Sequence, residues 1–230
     1  MEHALQHTYP GIVKDGRVSF GGSQRWLAGT TLQHCGCGLV AALDLVRYLH
    51  LYAGADCSGI FVGIDETSGL PLPLYNLCAQ RMRRSYVPIV YPIGTSGFAL
   101  AAGLNRCFRQ YQLPYTAGWG AKNEDLWQEI AAMLQQDLPV ILSVGNRFPR
   151  FWKKSGVALY RPAGGTIREA ARARAHFVTV VGMDEKWLRV SSWGREYYLS
   201  KEEFLHYRKE ESLGLLCNIV LIRRHESGSV

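Results

Sequence analysis

The chain of 230 residues is 47% hydrophobic and 20% charged, which is the balance of an ordinary folded protein and excludes disorder over most of its length. Its 24 glycines and 9 prolines follow no period, which excludes a collagen-like chain, and 6 cysteines are too few for a disulfide scaffold. The formal net charge of +7 leaves nucleic acid, an anionic surface or an acidic substrate open as partners.

The excess positive charge lies in one segment, residues 147–174. This segment has eight basic residues and one acidic residue, Glu169, whereas basic and acidic residues balance in the rest of the chain. No recognised binding motif accompanies the charge, so we favour a solvated loop over the alternative, a module that binds nucleic acid or another anion. The alternative is supported by four aromatic residues among the cations, on which nucleic-acid bases could stack: Phe148, Phe151, Trp152 and Tyr160.

The N-terminal residues 1–9 lack the basic and apolar regions of a secretory signal, and no apolar run approaches the length of about 18 residues typical of a membrane helix. We therefore expect a cytoplasmic protein without a membrane partner, in which the six cysteines are reduced thiols. No repeat and no long linker divides the sequence, which favours a single domain over residues 1–230.

The first half of the chain is predicted to be helical. Apolar residues at spacings of three and four indicate a helix from Cys37 to about Ala53. Asn123 is the expected N-cap of a later helix, whose first turn carries acidic residues that suit the positive end of the helix dipole. Similar patterns predict the remaining helices over Leu72 to Arg84, Ser96 to Tyr111 and Glu124 to Gln135.

The second half is predicted to be mainly β. One short helix, Lys201 to Tyr207, begins with capping-box spacing after Ser200. Helices first and antiparallel strands second are typical of an α+β domain, here with a helical half at about 24–136, a β half at 137–223 and a short tail at 224–230. Short apolar runs predict the strands Leu138 to Val144, Phe177 to Val181, Trp187 to Val190, Glu196 to Leu199 and Leu215 to Ile222.

Two cysteines, Cys35 and Cys37, stand at the expected start of the first long helix. Free backbone N–H groups and the helix dipole favour an anion there, and a thiolate is both an anion and a nucleophile. The structural alternative is that Cys37 only fills a small buried site beside two glycines. A metal site seeded by His34, Cys35 and Cys37 is the less favoured reading, because this spacing is tighter than in common zinc sites and no second Cys/His pair follows.

His176 stands at the start of a predicted apolar strand. A hairpin through residues 183–186 would bring Ser191 opposite or close to it, where a polar side chain can hold the imidazole in one tautomer. A histidine at a strand edge is usually structural. Together with an upstream cysteine at a helix N-terminus it becomes a candidate for nucleophilic catalysis.

These motifs follow one another in the order Cys, His, polar residue, and His176 lies 139 positions after Cys37. The order resembles that of the papain-like cysteine peptidases, and most closely the bacterial double-glycine-leader-peptidase-like (bacteriocin-processing-like) proteins, over roughly Gln24 to Ile222. The residues that carry the resemblance are Gly36-Cys37-Gly38 with Ala41-Ala42, His176-Phe177-Val178 with Gly182, Val190 to Gly194, and Ser200 to Phe204.

The resemblance implies a helical half, whose first long helix carries the nucleophile, packed on a C-terminal antiparallel sheet. It assigns the nucleophile to Cys37, with Cys35 as the rival, and the general base to His176. The third position falls on Ser191, where the family usually has Asn or Asp. The oxyanion-hole glutamine is Gln33 in preference to Gln24, although neither has the family's spacing from the cysteine.

The expected function is hydrolysis of an amide bond through a thioester on Cys37, with no metal or cofactor. The alternatives are an acyltransferase on the same fold and a papain-like protein with little or no activity, because a hydroxyl at Ser191 lacks the charge of a carboxylate. The substrate is a peptide or another amide. Arg172 and Arg174, just before the histidine, predict a positive rim that selects acidic substrates, and Trp193 is expected to line the same site.

Overall fold

The structure is a computed structural model that describes residues 1–61, 69–122, 124–146 and 156–225. Its helices are α1 (Thr30–Cys35), α2 (Cys37–Tyr52), α3 (Leu72–Ser85), α4 (Gly97–Gln110), α5 (Leu126–Gln135) and α6 (Lys201–Glu210). The strands of the first half are β1 (His3–Ala4), β2 (Ile12–Lys14), β3 (Arg17–Val18), β4 (Leu70–Pro71) and β5 (Tyr115–Trp119). Those of the second half are β6 (Val140–Val144), β7 (Val157–Ala163), β8 (Thr166–Ala173), β9 (His176–Met183), β10 (Trp187–Ser192), β11 (Arg195–Ser200) and β12 (Ile219–Arg224).

The predicted mixture of helices and antiparallel strands is confirmed, and helices α2 to α6 begin and end within a few residues of their predicted bounds. Ser96 caps α4 by accepting a hydrogen bond from the Ala99 N–H, and Ser200 caps α6 in the same way. The N-cap predicted at Asn123 lies outside the described residues, and α5 begins only at Leu126.

One large antiparallel sheet contains most strands, in the order β5-β12-β6-β9-β10-β11-β7-β8, with β1 paired to β9. A second, small sheet joins β2, β3 and β4. The short strands β1 to β4 and strand β5 are not among the predicted elements; β4 and β5 lie within the half predicted to be helical. Two or three residues are too few to show an alternating pattern, and β5 is held by its long-range pairing with β12.

The described part of the basic segment, residues 156–174, corrects the expectation of a loop. It forms the hairpin β7–β8, which turns at Gly164 and Gly165. Strand β8 lies at the end of the sheet and is almost entirely exposed. Charged side chains on such an edge oppose pairing with another chain, which accounts for arginines at this place. The remainder of the segment, residues 147–155, lies outside the described residues, as do Phe148, Phe151 and Trp152.

Helix α2 and strand β9 form the centre of the core. Eleven of the sixteen residues of α2 are buried, and so are all eight residues of β9. A helix that is apolar around most of its circumference has to be covered on all sides, and here the sheet covers one of them. Cys37 is the first residue of α2 and His176 is the first residue of β9, so their packing determines where both candidate residues lie. No helix among the described residues has the length and apolar character needed to cross a bilayer.

A two-residue turn joins β10 to β11. Its residues, Trp193 and Gly194, have φ angles of 49° and 74°, which is the left-handed conformation of a type I′ hairpin turn. Glycine adopts this conformation without strain, whereas tryptophan does so at a cost that the surrounding contacts have to offset. A Cβ atom on Gly194 would also lie 2.1 Å from the Trp26 ring, so the hairpin packs tightly against the N-terminal segment.

Replacing Gly194 by Ala therefore tests how tightly the hairpin packs. Gly164 is a matched control, because its φ is also positive (58°) but an added Cβ would meet nothing within 4 Å. Gly164→Ala should lower the free energy of unfolding by about 1 kcal/mol through backbone strain alone. Gly194→Ala should lower it by about 1 to 3 kcal/mol more, because it also crowds Trp26. Equal losses in urea unfolding would show that the Trp26 contact is dispensable.

Candidate functional site

Cys37 lies where one helix ends and the next begins. Gly36 separates α1 from α2, and a Cβ atom on Gly36 would come 2.4 Å from the Leu32 carbonyl oxygen, so only glycine fits this junction. Cys37 is half-buried, while the other five cysteines, including the rival Cys35, are buried. The Sγ of Cys35 donates to the Pro92 carbonyl at 3.3 Å. Exposure therefore favours Cys37 over Cys35 as the reactive thiol.

The pKa of the Cys37 thiol is set by two opposing effects. Burial raises it, and backbone N–H groups of Phe177, Gly38 and Cys37 lower it. The stabilisation expected from a helix N-terminus is present, but burial is the larger effect, so the pKa lies above its ordinary value. Cys37 is consequently a neutral thiol at rest, where the sequence pattern had suggested a thiolate.

His176 is buried at the start of β9 and its ring is held on two sides. Its Nε2 lies 2.8 Å from the Ser192 Oγ, and its ring stacks on the Trp193 indole with centroids 4.6 Å apart. Burial, together with the positive charge of Arg25, lowers the pKa of His176 to about 3, so the imidazole is neutral. The preceding residue, Ala175, has a φ of 46°, an uncommon conformation for a non-glycine residue.

The prediction that Ser191 orients His176 is wrong in its position, because the neighbouring Ser192 makes that contact. The register between β9 and β10 shifts between Arg189 and Val190, which places Ser191 opposite Thr179. Ser191 Oγ instead donates to the Phe20 carbonyl at 2.8 Å. Successive side chains of a strand point to opposite faces, so a bulge of one residue exchanges the two serines. No local sequence signal marks that bulge.

The glutamine assignment also changes. Gln33 donates through Nε2 to the Leu27 carbonyl and does not line the cavity that holds Cys37 and His176. Gln24 does line it, although its spacing from the cysteine is far from the family pattern. Its Nε2 donates to the carbonyls of Gln33 and His34, and its Oε1 is buried without a hydrogen-bond partner among the described residues. In this conformation both amide protons of Gln24 are already in use.

Cys37 and His176 share two concave surfaces. One is a narrow cavity, which Trp193 also lines. The other is an open groove of about 350 Å³, which also contacts Cys35 and Phe177. The two candidate residues thus line the same open groove. Among the described residues no group of three His, Cys, Asp or Glu side chains is placed to hold a metal ion.

The described walls of the groove are mainly apolar. Ile93, Phe98 and Leu215 line it with exposed fractions of 82%, 58% and 58%, and Trp119 lies at its side. None of its described lining residues is Asp, Glu, Lys or Arg. An apolar surface left open at this size is a feature of binding sites.

The two arginines that were expected to form a positive rim are not part of the groove's lining. Arg172 Nε lies 2.7 Å from Glu169 Oε1, and the two side chains form a bidentate ion pair on strand β8. Arg172 lines a separate cavity together with Lys186 and Glu203. The expectation failed because the chain leaves β8 before it reaches His176, so closeness in sequence did not bring the Arg172 guanidinium to the site.

The fold has a weak likeness to a known protease structure. The chain is similar to a solved cysteine protease from Carica candamarcensis, in complex with E-64, with 17% sequence identity and a TM-score of 0.32 over 84% of this chain and 91% of that chain. No protein-family model and no curated protein matches the sequence. This similarity is too low to indicate the activity of the chain, which is inferred below from the geometry of the site.

The neutral His176 predicts a specific dependence of stability on pH. Its folded pKa of about 3 lies below its ordinary 6.5, so the unfolded chain binds the extra proton and stability falls on acidification between those values. Asp44, buried in α2, has the opposite shift. Burial raises its pKa from 3.8 to about 6, so the folded chain binds more protons there and stability rises on acidification.

Urea unfolding between pH 4 and 6 should separate these two contributions, each worth up to about 1.4 kcal/mol per pH unit. Asp44→Asn should lose stability on acidification more steeply than the wild type, because the opposing contribution of Asp44 is gone. His176→Asn should lose stability on acidification less steeply than the wild type, or should gain stability. If both variants keep the wild-type dependence of stability on pH, neither His176 nor Asp44 has the shifted pKa described above.

Proposed function

We propose that this chain is a papain-like cysteine peptidase, or a closely related thiol hydrolase, with Cys37 as nucleophile and His176 as general base. The observation that carries the proposal is that the one half-buried cysteine, at the start of α2, and a buried histidine, at the start of β9, line the same open groove. The motif order that resembles double-glycine-leader-peptidase-like proteins supports the same assignment.

The proposed reaction starts from a neutral pair. His176 Nε2 is engaged by Ser192, which leaves Nδ1 as the nitrogen that accepts the Cys37 proton. The sulfur attacks the amide carbonyl carbon, and the resulting imidazolium gives its proton to the departing amine as the C–N bond breaks. Water, deprotonated by the same imidazole, then attacks the thioester, releases the carboxylic acid and restores the thiol.

The third residue determines how well the imidazolium is stabilised. Ser192 can orient the ring through a hydrogen bond, but its hydroxyl has no negative charge to stabilise the imidazolium that forms. The Trp193 ring, stacked on His176, limits rotation and offers its π face to the cation. We therefore infer slow proton transfer relative to a site with a carboxylate. An oxyanion donor from Gln24 additionally requires its amide to release one of its two carbonyl partners.

The groove supports a substrate with an uncharged, apolar segment beside the scissile bond. Its described lining has no charged residue, and Ile93, Phe98 and Leu215 offer exposed apolar surface. This replaces the acidic substrate expected from the arginines. Acyl transfer to an amine is the second candidate, because an apolar groove shields a thioester from water, and product analysis with an added amine distinguishes it from hydrolysis.

Alkylation of the native protein by iodoacetamide tests the nucleophile assignment. Mass spectrometry should find the label first on Cys37, because the other five thiols are buried. Cys35→Ala should leave the rate unchanged, and Cys37→Ala should abolish rapid labelling. His176→Asn should slow labelling of Cys37 by about 100-fold, which is typical for loss of a general base. Preferential labelling of Cys35, or an equal rate in His176→Asn, would contradict the assignment.

Substitution in the groove tests the substrate class. Phe98→Ala and Ile93→Ser should reduce cleavage of apolar peptides from a mixed peptide library more than cleavage of acidic ones. Arg172→Ala is the matched control, since its side chain is paired with Glu169 in another cavity, and it should leave the preference unchanged. If Arg172→Ala alone removes cleavage of acidic peptides, the acidic-substrate reading is restored.

A further inference from the structure

A buried carboxylate lies two helical turns after Cys37 on the same face of α2. Asp44 is 3% exposed and lines the narrow cavity together with Cys37 and His176. Burying a carboxylate is costly unless it is hydrogen-bonded, so its partners show what it is there to hold. The proposed mechanism gives Asp44 no role.

Asp44 holds two donors, one on each oxygen. Its Oδ2 accepts the Gly22 N–H at 2.7 Å, and its Oδ1 accepts the Tyr75 hydroxyl at 3.0 Å. Gly22 belongs to the N-terminal segment 20–22, which lies between α2 and the hairpin β10–β11. Asp44 therefore ties this segment to the helix that carries Cys37.

The same segment is tied on its other side to the hairpin turn. The Gly194 N–H donates to the Gly22 carbonyl at 2.8 Å, and the Phe20 N–H donates to the Gly194 carbonyl at 3.1 Å. Ser191 Oγ adds a third bond, to the Phe20 carbonyl. The hairpin carries both groups that hold the imidazole, Ser192 at the end of β10, which contacts Nε2, and the Trp193 ring in the turn.

Segment 20–22 is packed closely against its neighbours and has little free space around it. A Cβ atom on Gly21 would lie 2.3 Å from Ser191 Oγ and 2.9 Å from Asp44 Oδ2. A Cβ atom on Gly22 would lie 1.9 Å from Tyr75 Oη. Two consecutive glycines thus let the backbone pass between the carboxylate and the hairpin in direct contact with both. A contact series this tight transmits a displacement at one end to the other.

We propose that Asp44 is a positioning residue that fixes the orientation of the His176 ring relative to Cys37, acting through segment 20–22 and the hairpin turn. The inference rests on the proposed function for its catalytic consequence, but the ring orientation itself can be measured without any substrate. It assigns the role to the hydrogen bonds of Asp44. An Asn at this position can keep both contacts, by accepting from Gly22 and donating to the Tyr75 oxygen.

NMR of protein labelled with ¹⁵N at histidine measures the ring directly, with the His176 signals assigned from their loss in His176→Asn. The wild type should show one neutral tautomer, with well-separated resonances for its protonated and unprotonated nitrogens. Ser192→Ala, which removes the Nε2 contact, is the reference for a released ring. Asp44→Ala should reproduce the Ser192→Ala change, and Asp44→Asn should restore the wild-type spectrum.

A destabilised control separates positioning from general loss of stability. Val46 is fully buried and lies on the side of α2 opposite Cys37, since nine residues correspond to two and a half turns. Val46→Ala should lower the melting temperature yet keep the wild-type His176 spectrum. The proposal is overturned if Asp44→Ala keeps that spectrum while Ser192→Ala changes it, or if Val46→Ala changes it as much as Asp44→Ala does.

Cys37 alkylation distinguishes failure of this inference from failure of the proposed function. If both are correct, Asp44→Ala should lose as much of the alkylation rate as His176→Asn does, and Asp44→Asn should recover it. If the NMR changes appear as expected but His176→Asn has no effect on alkylation, Asp44 positions the ring and the proposed function is wrong. If His176→Asn slows alkylation and Asp44→Ala does not, the proposed function stands and the role of Asp44 is refuted.

Discussion

The packing of helix α2 against strand β9 is the constraint on which the candidate site depends. Strand β9 is buried along its whole length and helix α2 along most of its length, so neither can shift without opening the core. Their first residues are Cys37 and His176, which come to one groove because the ends of the two elements meet there. The burial that stabilises the fold also raises the pKa of the thiol and lowers that of the imidazole, which makes the resting pair neutral.

The regular elements could be predicted from sequence because their signals are local. The apolar spacing of α2 and the mainly apolar run of β9 each lie within one element. Strands β5 and β8 were missed because they are fixed by pairing with distant segments, and β8 carries mainly Arg, Glu and Ala without alternation. The sequence therefore indicated the α+β class but not the full order of the sheet.

Of the candidate site, the residues that could be predicted from sequence are those that begin a helix or a strand. Cys37 and His176 were identified by their motifs and do line one groove. Ser191 and Gln33 were chosen by spacing, and spacing does not reveal the register shift between β9 and β10 or the folding of the Gln24 segment beside α2. Arg172 was chosen by its sequence distance from His176, but its guanidinium is paired with Glu169. Nothing in the sequence marks Asp44 as part of the site, because the hydrogen-bond partners of one acidic residue in an apolar helix are visible only in the folded structure.

In the proposed reaction, Cys37 forms a covalent intermediate with the help of His176. The most direct measurement is mass spectrometry of the protein quenched in acid during reaction with an apolar peptide thioester. The wild type should carry an acyl group on Cys37, and His176→Asn should show strongly reduced acylation under the same conditions. Acylation of another residue, or equal acylation of Cys37 in both proteins, would contradict the proposed reaction.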